Sequence, residues 1–317
     1  MQPHNGKSYL ALGVVVVTMT AAGAAWAAEA PNAAAGAGSA FSANSTLVLV
    51  PVTVVDHRGA IVNGLGGNSF KLTEDGAPQA IRSFSEEDAP VSLGIVLDLS
   101  GSMRDYLPAA KEALRVLLKD ANPGDEVFVN GVSTQPRAYS GFEDSFEDTL
   151  HRIESENASG RTALIDTIYD SAKELRAGKY PRKALIVISD GIDNHSRYTN
   201  ADLRLEEVEA EAQIYTIATV AALNAIQAPK PMMMTEAQKG LYFLEVLAAK
   251  TGGLSYAVSS PTDISKAAAS IGRALRNQYT IGYAPGARAR SGKWHKISVK
   301  VDGSGMKAYA RTGYRGE

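Results

Sequence analysis

The stretch LGIVLDLSGSM at residues 93–103 decides the predicted fold of this chain. Its first half, residues 93–97, is an unbroken apolar run, as expected for a strand whose two sheet faces are both covered. Its second half places Asp98, Ser100 and Ser102 just after that strand, at the sheet edge where open α/β folds bind ligands. The stretch therefore predicts a buried strand that carries oxygen-bearing side chains at its carboxyl end.

Strands and helices alternate downstream of this stretch. The alternation predicts a mostly parallel sheet with helices on both faces, an α/β architecture of the Rossmann-like kind. Further strands are predicted at residues 126–132, 184–188, 214–220 and 254–258, and helices at 107–118, 142–153, 162–176, 241–249 and 264–275.

Both ends of the chain carry β patterns instead. Runs rich in β-branched residues or alternating in polarity precede residue 89 and follow residue 277, which predicts a small β-sandwich-like domain built from both chain ends. The predicted organisation is a signal peptide at 1–27, a flexible linker at 28–45, the first part of the β domain at 46–88, the α/β domain at 89–277 and the second part of the β domain at 278–317.

The first residues have the pattern of an export signal. Lys7 precedes an apolar run at residues 10–20, and small residues lead to an Ala-x-Ala site at residues 25–27. An uncleaved anchor helix is the alternative, because the apolar run and its Ala-rich extension approach the length that spans a bilayer. Cleavage predicts a periplasmic or extracellular protein with no integral membrane span.

Composition excludes several classes of function. The 317 residues have a net charge of -2, so nucleic-acid binding and polybasic membrane attachment have no electrostatic support. The chain has 0 cysteines, which excludes disulfides, thiolate metal sites and a cysteine nucleophile. Hydrophobic residues make up 45% of the chain, enough for a sizeable core.

Two later segments bring oxygen ligands to the same predicted edge. Thr162 stands at a helix start, and Asp190 follows the buried strand at residues 184–188. Carboxylate and hydroxyl oxygens are hard ligands that suit Mg²⁺, Mn²⁺ or Ca²⁺. Asp98, Ser100 and Ser102 alone could equally be a helix cap. Together with Thr162 and Asp190 they predict a divalent-cation site.

The order of these residues resembles the metal-ion-dependent adhesion site, or MIDAS, of von Willebrand factor type A domains. Further segments are similar to an exported, Acidobacteria-type bacterial branch of that family, and the resemblance covers nearly everything after the linker. The segments are PGDE at 123–126, GRTALID at 160–166, RKA at 182–184, SDGIDN at 189–194, TGG at 251–253 and QYTIGY at 278–283.

The resemblance implies a role for each site residue. Ser100, Ser102 and Thr162 would bind a magnesium ion directly, and Asp98 and Asp190 would act largely through bridging waters. One coordination position would remain for a Glu or Asp side chain of a protein partner. The chain would then be a non-enzymatic, metal-dependent adhesion or interaction module.

Two other functions remain open. A structural scaffold subunit of an envelope assembly would need no working metal site. A serine hydrolase would use Ser100 or Ser102 with His195, but the sequence has no Gly-x-Ser-x-Gly nucleophile elbow. A metal-dependent phosphatase lacks the His/Asp cluster that two metals need.

Several other residues are given a structural interpretation. We expect Asp193, Asn194 and His195 to form a solvated loop that at most supports the site, and Asp166 to be a surface charge or to bond nearby backbone. Trp294 is predicted to lie in the β-domain core. Residues 222–240, which include three consecutive methionines, are interpreted as an insertion.

Overall fold

A computed structural model of the chain describes residues 47–86, 88–119, 121–220, 234–286 and 292–316, with the side chains of 205–209 excepted. The predicted signal peptide and linker lie outside the described residues, as does most of the predicted insertion. No helix within the described ranges has the length and apolar character needed to cross a membrane.

The central sheet has six strands in the order β10-β9-β8-β5-β6-β7. All neighbours are parallel except β7, which runs antiparallel to β6 and which the sequence pattern did not predict. The strands are β5 (Ser92–Asp98), β6 (Glu126–Val132), β7 (Arg137–Ser140), β8 (Lys183–Ser189), β9 (Gln213–Thr219) and β10 (Ser255–Val258).

Helices cover both faces of this sheet, as predicted. Alternate residues of β5 enter different cores: Ile95 packs in the cluster that contains α1 and α6, and Val96 packs with α3 and α5. This alternation explains why the strand is apolar throughout. The helices are α1 (Leu107–Lys119), α2 (Phe146–Glu154), α3 (Leu164–Arg176), α4 (Asn200–Ala210), α5 (Glu236–Thr251) and α6 (Pro261–Arg276).

Two antiparallel sheets are assembled from both ends of the chain. Val50 pairs with Ile281, and Leu72 pairs with Val299, so strands that precede β5 lie beside strands that follow α6. The sheet orders are β13-β1-β11-β4 and β14-β12-β2-β3, and the two share one apolar core. The strands are β1 (Val48–Val55), β2 (Phe70–Glu74), β3 (Ala77–Gln79), β4 (Ile81–Glu86), β11 (Tyr279–Tyr283), β12 (Trp294–Val301), β13 (Lys307–Ala310) and β14 (Gly313–Arg315).

The predicted fold class is confirmed. Two local predictions were wrong, and of the two alternatives given for Asp166 the surface charge is excluded. Helix α2 begins at Phe146 rather than at residue 142, because the Ser145 hydroxyl caps it by accepting the Asp148 N–H. Trp294 is 51% exposed rather than part of the core. Asp166 is buried, so it is no surface charge.

Candidate metal site

The loop after β5 turns Asp98 and two serines toward one point. Asp98 Oδ1 accepts the Ser100 N–H at 2.9 Å, which folds the chain back directly after the strand. The Ser100 and Ser102 hydroxyl oxygens lie 3.2 Å apart. Asp98 and Ser100 are buried, whereas Ser102 is exposed. The loop therefore offers a buried carboxylate and a pair of hydroxyls that converge near the surface.

Asp98 is held in place by the neighbouring strand. Ser189, the last residue of β8, donates a hydrogen bond to Asp98 Oδ2 at 2.5 Å. Burial raises the pKa of Asp98 from 3.8 to about 6, hydrogen bonds from Ser100 and Ser189 oppose the rise, and the nearby Asp190 charge adds to it. No cationic side chain among the described residues forms an ion pair with Asp98 to compensate its ionised form.

Thr162 reaches the same edge through backbone contacts. The Gly101 N–H donates to the Gly160 carbonyl at 3.3 Å, and the Ser159 N–H donates to the Leu99 carbonyl at 2.8 Å. These bonds fasten the loop that precedes α3 to the loop that follows β5. Thr162 itself is buried, two residues before the helix.

Asp190 follows β8 in a tight turn. Its Oδ1 accepts the Ile192 N–H at 3.0 Å, and Gly191 adopts a left-handed φ of 76°. A Cβ at Gly191 would overlap the backbone of Gly240 in the first turns of α5. Only glycine fits where this loop meets the helix.

The loop at residues 193–196 supports the site more extensively than the sequence indicated. Asn194 Oδ1 accepts the Thr162 N–H at 3.0 Å, and the Asn194 N–H donates to the Thr162 carbonyl at 3.0 Å. Asp193 Oδ2 accepts the Ile165 N–H at 2.9 Å at the start of α3. Both residues therefore fix the position of Thr162 and the start of α3, which agrees with the predicted supporting role of this loop.

Asp166 and Ser189 were not assigned to the site by sequence. Buried Asp166 accepts the backbone N–H groups of Arg197 and Tyr198 at 2.8 and 2.9 Å, and so anchors the far end of the loop. Asp166 follows Thr162 by one helical turn, and this spacing was the sequence signal that could have linked it to the site. Ser189 precedes Asp190 directly, but its partner, Asp98, becomes apparent only when the register of β5 and β8 is known.

His195 lies on the surface side of this loop. Its Nδ1 lies 3.4 Å from an Arg161 guanidinium nitrogen, and no hydrogen bond within the described residues joins it to Ser100 or Ser102. A serine–histidine pair is therefore not assembled in this conformation.

The donor set fits a small divalent cation. Neighbouring oxygen ligands of Mg²⁺ lie about 3 Å apart, since each is about 2.1 Å from the ion, and the two serine hydroxyls have that spacing. The carboxylates of Asp98 and Asp190 lie close enough for the Asp190 charge to raise the pKa of Asp98. No cluster of three or more His, Asp or Glu residues occurs in the described ranges, so a cation here would also depend on hydroxyl oxygens.

Comparison with known families now identifies the central part of the chain. Residues 93–192 match the family model described as the von Willebrand factor type A domain. This part of the chain is therefore similar to a von Willebrand factor type A domain. The matched region runs from β5 through the Asp190 turn, so it includes every residue of the predicted metal site. A search of curated proteins found no match.

Solved structures similar to this chain include several bacterial proteins. A von Willebrand factor type A protein from Catenulispora acidiphila is 13% identical over 87% of this chain and 74% of its own, with a TM-score of 0.48. An aerotolerance-related membrane protein from Bacteroides fragilis is 16% identical over 58% of this chain and 98% of its own, with a TM-score of 0.42. The vWF domain of a type V pili tip protein from Porphyromonas gingivalis is 11% identical over 59% of this chain and 95% of its own, with a TM-score of 0.44.

Proposed function

We propose that this protein is an exported, non-enzymatic interaction module whose von Willebrand factor type A domain captures an acidic side chain of a partner protein through a divalent cation. The observation that carries the proposal is the convergence of Asp98, Ser100 and Ser102 beside the Thr162 and Asp190 loops. Mg²⁺ is the proposed ion, because the hydroxyl spacing suits its small radius.

The donor set favours binding over catalysis. In the proposed site Ser100, Ser102 and Thr162 hold the ion through neutral hydroxyls, and Asp98 and Asp190 act through bridging waters. A bound cation with mostly neutral ligands keeps positive character and supplies an attachment point for a carboxylate. Because Ser102 is exposed, this attachment point for a carboxylate lies at the protein surface, where a partner can reach it.

The burial of Asp98 makes the binding of a cation at this site favourable. Burial disfavours the ionised carboxylate, and no lysine, arginine or histidine in the described part of the chain forms an ion pair with Asp98 or Asp190. Introducing a divalent cation beside these groups would offset that electrostatic cost. We infer that the metal both completes the site and stabilises the domain.

The proposed location outside the cytoplasm is supported by the predicted export signal at residues 1–27 and by the motifs that resemble the Acidobacteria-type branch. A partner would be met in the periplasm or outside the cell. An adhesive role in that setting is part of the proposal.

A capture experiment with matched variants tests the proposal. Immobilised wild-type protein is incubated with envelope extract in Mg²⁺ or in EDTA, beside Asp98→Ala and a control, Asp105→Ala, which removes an exposed carboxylate from the following loop. We expect a partner to be retained by wild type and Asp105→Ala in Mg²⁺, and to be lost with EDTA or Asp98→Ala. Equal retention in all four conditions would rule out the proposed function.

A further inference from the structure

A second concave site lies at the opposite edge of the central sheet. This cavity has a volume of about 480 Å³ and is lined by the ends of α4 and α5, the start of β9, and strands β1, β12 and β14. The metal-site loops follow the carboxyl ends of the strands, whereas Gln213 in the cavity wall begins β9. A seven-residue strand is roughly 20 Å long, so a ligand here would bind independently of the metal site.

An exposed tryptophan forms one wall of the cavity. Trp294 is 51% exposed at the start of β12, and a Cβ on Gly313 would lie 2.5 Å from its indole carbons. The indole therefore packs directly on the backbone of Gly313, which leaves the remainder of its surface open to solvent. A large aromatic surface fixed in this way costs little conformational entropy when a ligand covers it.

Positive charges surround this tryptophan. Among the described side chains that line the cavity, three are cationic (Arg204, Lys250 and Arg311) and one is a carboxylate, Glu211. Glu211 pairs with Arg311 at 2.8 Å, and Arg311 also donates to the Leu49 carbonyl at 2.9 Å. Among the described residues, the side chains of Arg204 and Lys250 form no ion pair, so two cations remain for a ligand.

Glu211 is held in an unusual backbone conformation at the rim. It ends α4 with a left-handed φ of 51°, a region that non-glycine residues adopt at a cost of about 1 kcal/mol or more. The ion pair with Arg311 offsets the cost of this backbone conformation, because it connects the end of α4 to the β domain. With Glu211 neutralised in this way, the described side chains of the cavity wall keep a positive excess.

We propose that this cavity binds a short acidic peptide segment that carries an apolar side chain. The apolar side chain would lie on Trp294, and the carboxylates would pair with Arg204 and Lys250. Tryptophan, tyrosine and arginine are the residues that dominate binding energy at protein interfaces, and Trp294, Tyr314 and two arginines meet here. Clustered arginine and lysine recognise acidic motifs by charge-assisted hydrogen bonds.

Trp294 itself can report the binding. The chain has two tryptophans, and Trp26 belongs to the predicted signal peptide, so removal of residues 1–27, or Trp26→Phe in the full chain, leaves Trp294 as the sole tryptophan emitter. The probe is the capped tetrapeptide Glu-Phe-Glu-Glu, titrated in EDTA and again in Mg²⁺, and the reference is Gln-Phe-Gln-Gln. We expect a saturable change in Trp294 emission with the acidic peptide in both buffers, and at least tenfold weaker binding of the neutral peptide.

A charge reversal with a matched control tests the role of the cations. Lys250→Glu should weaken acidic-peptide binding at least tenfold, whereas Lys300→Glu, an equal charge change on β12 outside the cavity, should leave it within twofold. Circular dichroism checks that both variants fold.

Four results would overturn the proposal. They are no emission change up to millimolar peptide, equal binding of the two peptides, a requirement for Mg²⁺, or binding of an acidic oligogalacturonate but of neither peptide. Because the titration is carried out without metal, its failure leaves the proposed function of the metal site untouched.

Discussion

Ser189 donates a 2.5 Å hydrogen bond to Asp98 Oδ2 across two neighbouring parallel strands. The register pairs Leu97 with Ile188, so the two residues that follow stand side by side at the carboxyl edge of the sheet. The Ser189 hydroxyl also accepts the Gly191 N–H at 2.9 Å. One buried hydroxyl thus joins the Asp98 loop to the Asp190 loop and fixes the spacing of the two carboxylates.

Ser189→Ala should weaken both folding and metal binding. It leaves the Gly191 N–H and one Asp98 oxygen without a partner in a buried setting, at a cost of about 1–3 kcal/mol. Urea denaturation gives the stability and calorimetry with Mg²⁺ gives the affinity. Ser171→Ala, which removes another buried hydroxyl on α3, should reduce stability but leave the Mg²⁺ affinity unchanged. Equal affinity in the Ser189 and Ser171 variants would contradict the proposed role of Ser189.

Asp98→Asn should stabilise the metal-free protein above pH 6. Burial raises the pKa of Asp98 from 3.8 to about 6 in the folded state, so ionisation opposes folding. The free energy of unfolding of the wild type, relative to that of Asp98→Asn, is therefore highest below about pH 4. It falls by up to roughly 3 kcal/mol as the pH rises through 6.

Denaturation in EDTA across pH 4–7.5 checks this prediction. The difference between Asp98→Asn and wild type should be near zero at the acidic end and should grow toward neutral pH. Added Mg²⁺ should stabilise only the wild type. Parallel pH profiles for the two proteins would show that the Asp98 carboxylate carries no such electrostatic cost.

Two glycine substitutions should have opposite effects on stability. Gly191→Ala places a methyl group against the Gly240 backbone at a φ of 76°, and we expect a loss of at least 2 kcal/mol. Gly272→Ala adds a methyl group in α6 with nothing within 4 Å, and should gain about 1 kcal/mol. Thermal melts measure both, and a stable Gly191→Ala protein would mean that the Asp190 loop does not press on α5.

Arg276→Met should destabilise the domain strongly. Arg276 pairs at 2.8 Å with Asp125, whose side chain is fully buried, and its loss leaves that carboxylate without its charge partner. Breaking a buried pair in this way costs about 3 kcal/mol. Arg115→Met removes two largely exposed ion pairs, with Glu112 and Glu154, and should cost less than about 1 kcal/mol. Denaturation midpoints that shift equally for the two variants would refute this ranking.

The sequence predicted those features that follow from local pattern. Continuous apolar strands, helical spacing and the loop after β5 were sufficient to predict the α/β class, and β strands at both ends of the chain predicted their pairing. The Ser189–Asp98 bond and the burial of Asp166 depend on register and loop packing, which no local pattern encodes. Trp294 looked like core because β12 alternates, but it begins that strand opposite Arg315, and its ring lies on the Gly313 backbone with half of its surface exposed.

The central claim is that one divalent-cation site is formed by Asp98, Ser100, Ser102, Thr162 and Asp190. Calorimetric titration of Mg²⁺ into EDTA-treated protein tests this claim most directly. The wild type is compared with the double variant Ser100→Ala/Thr162→Ala, and circular dichroism confirms that both are folded. The account predicts one Mg²⁺ per wild-type chain and at least tenfold weaker binding in the variant. No measurable heat with the folded wild type, or equal binding by the folded variant, would contradict it.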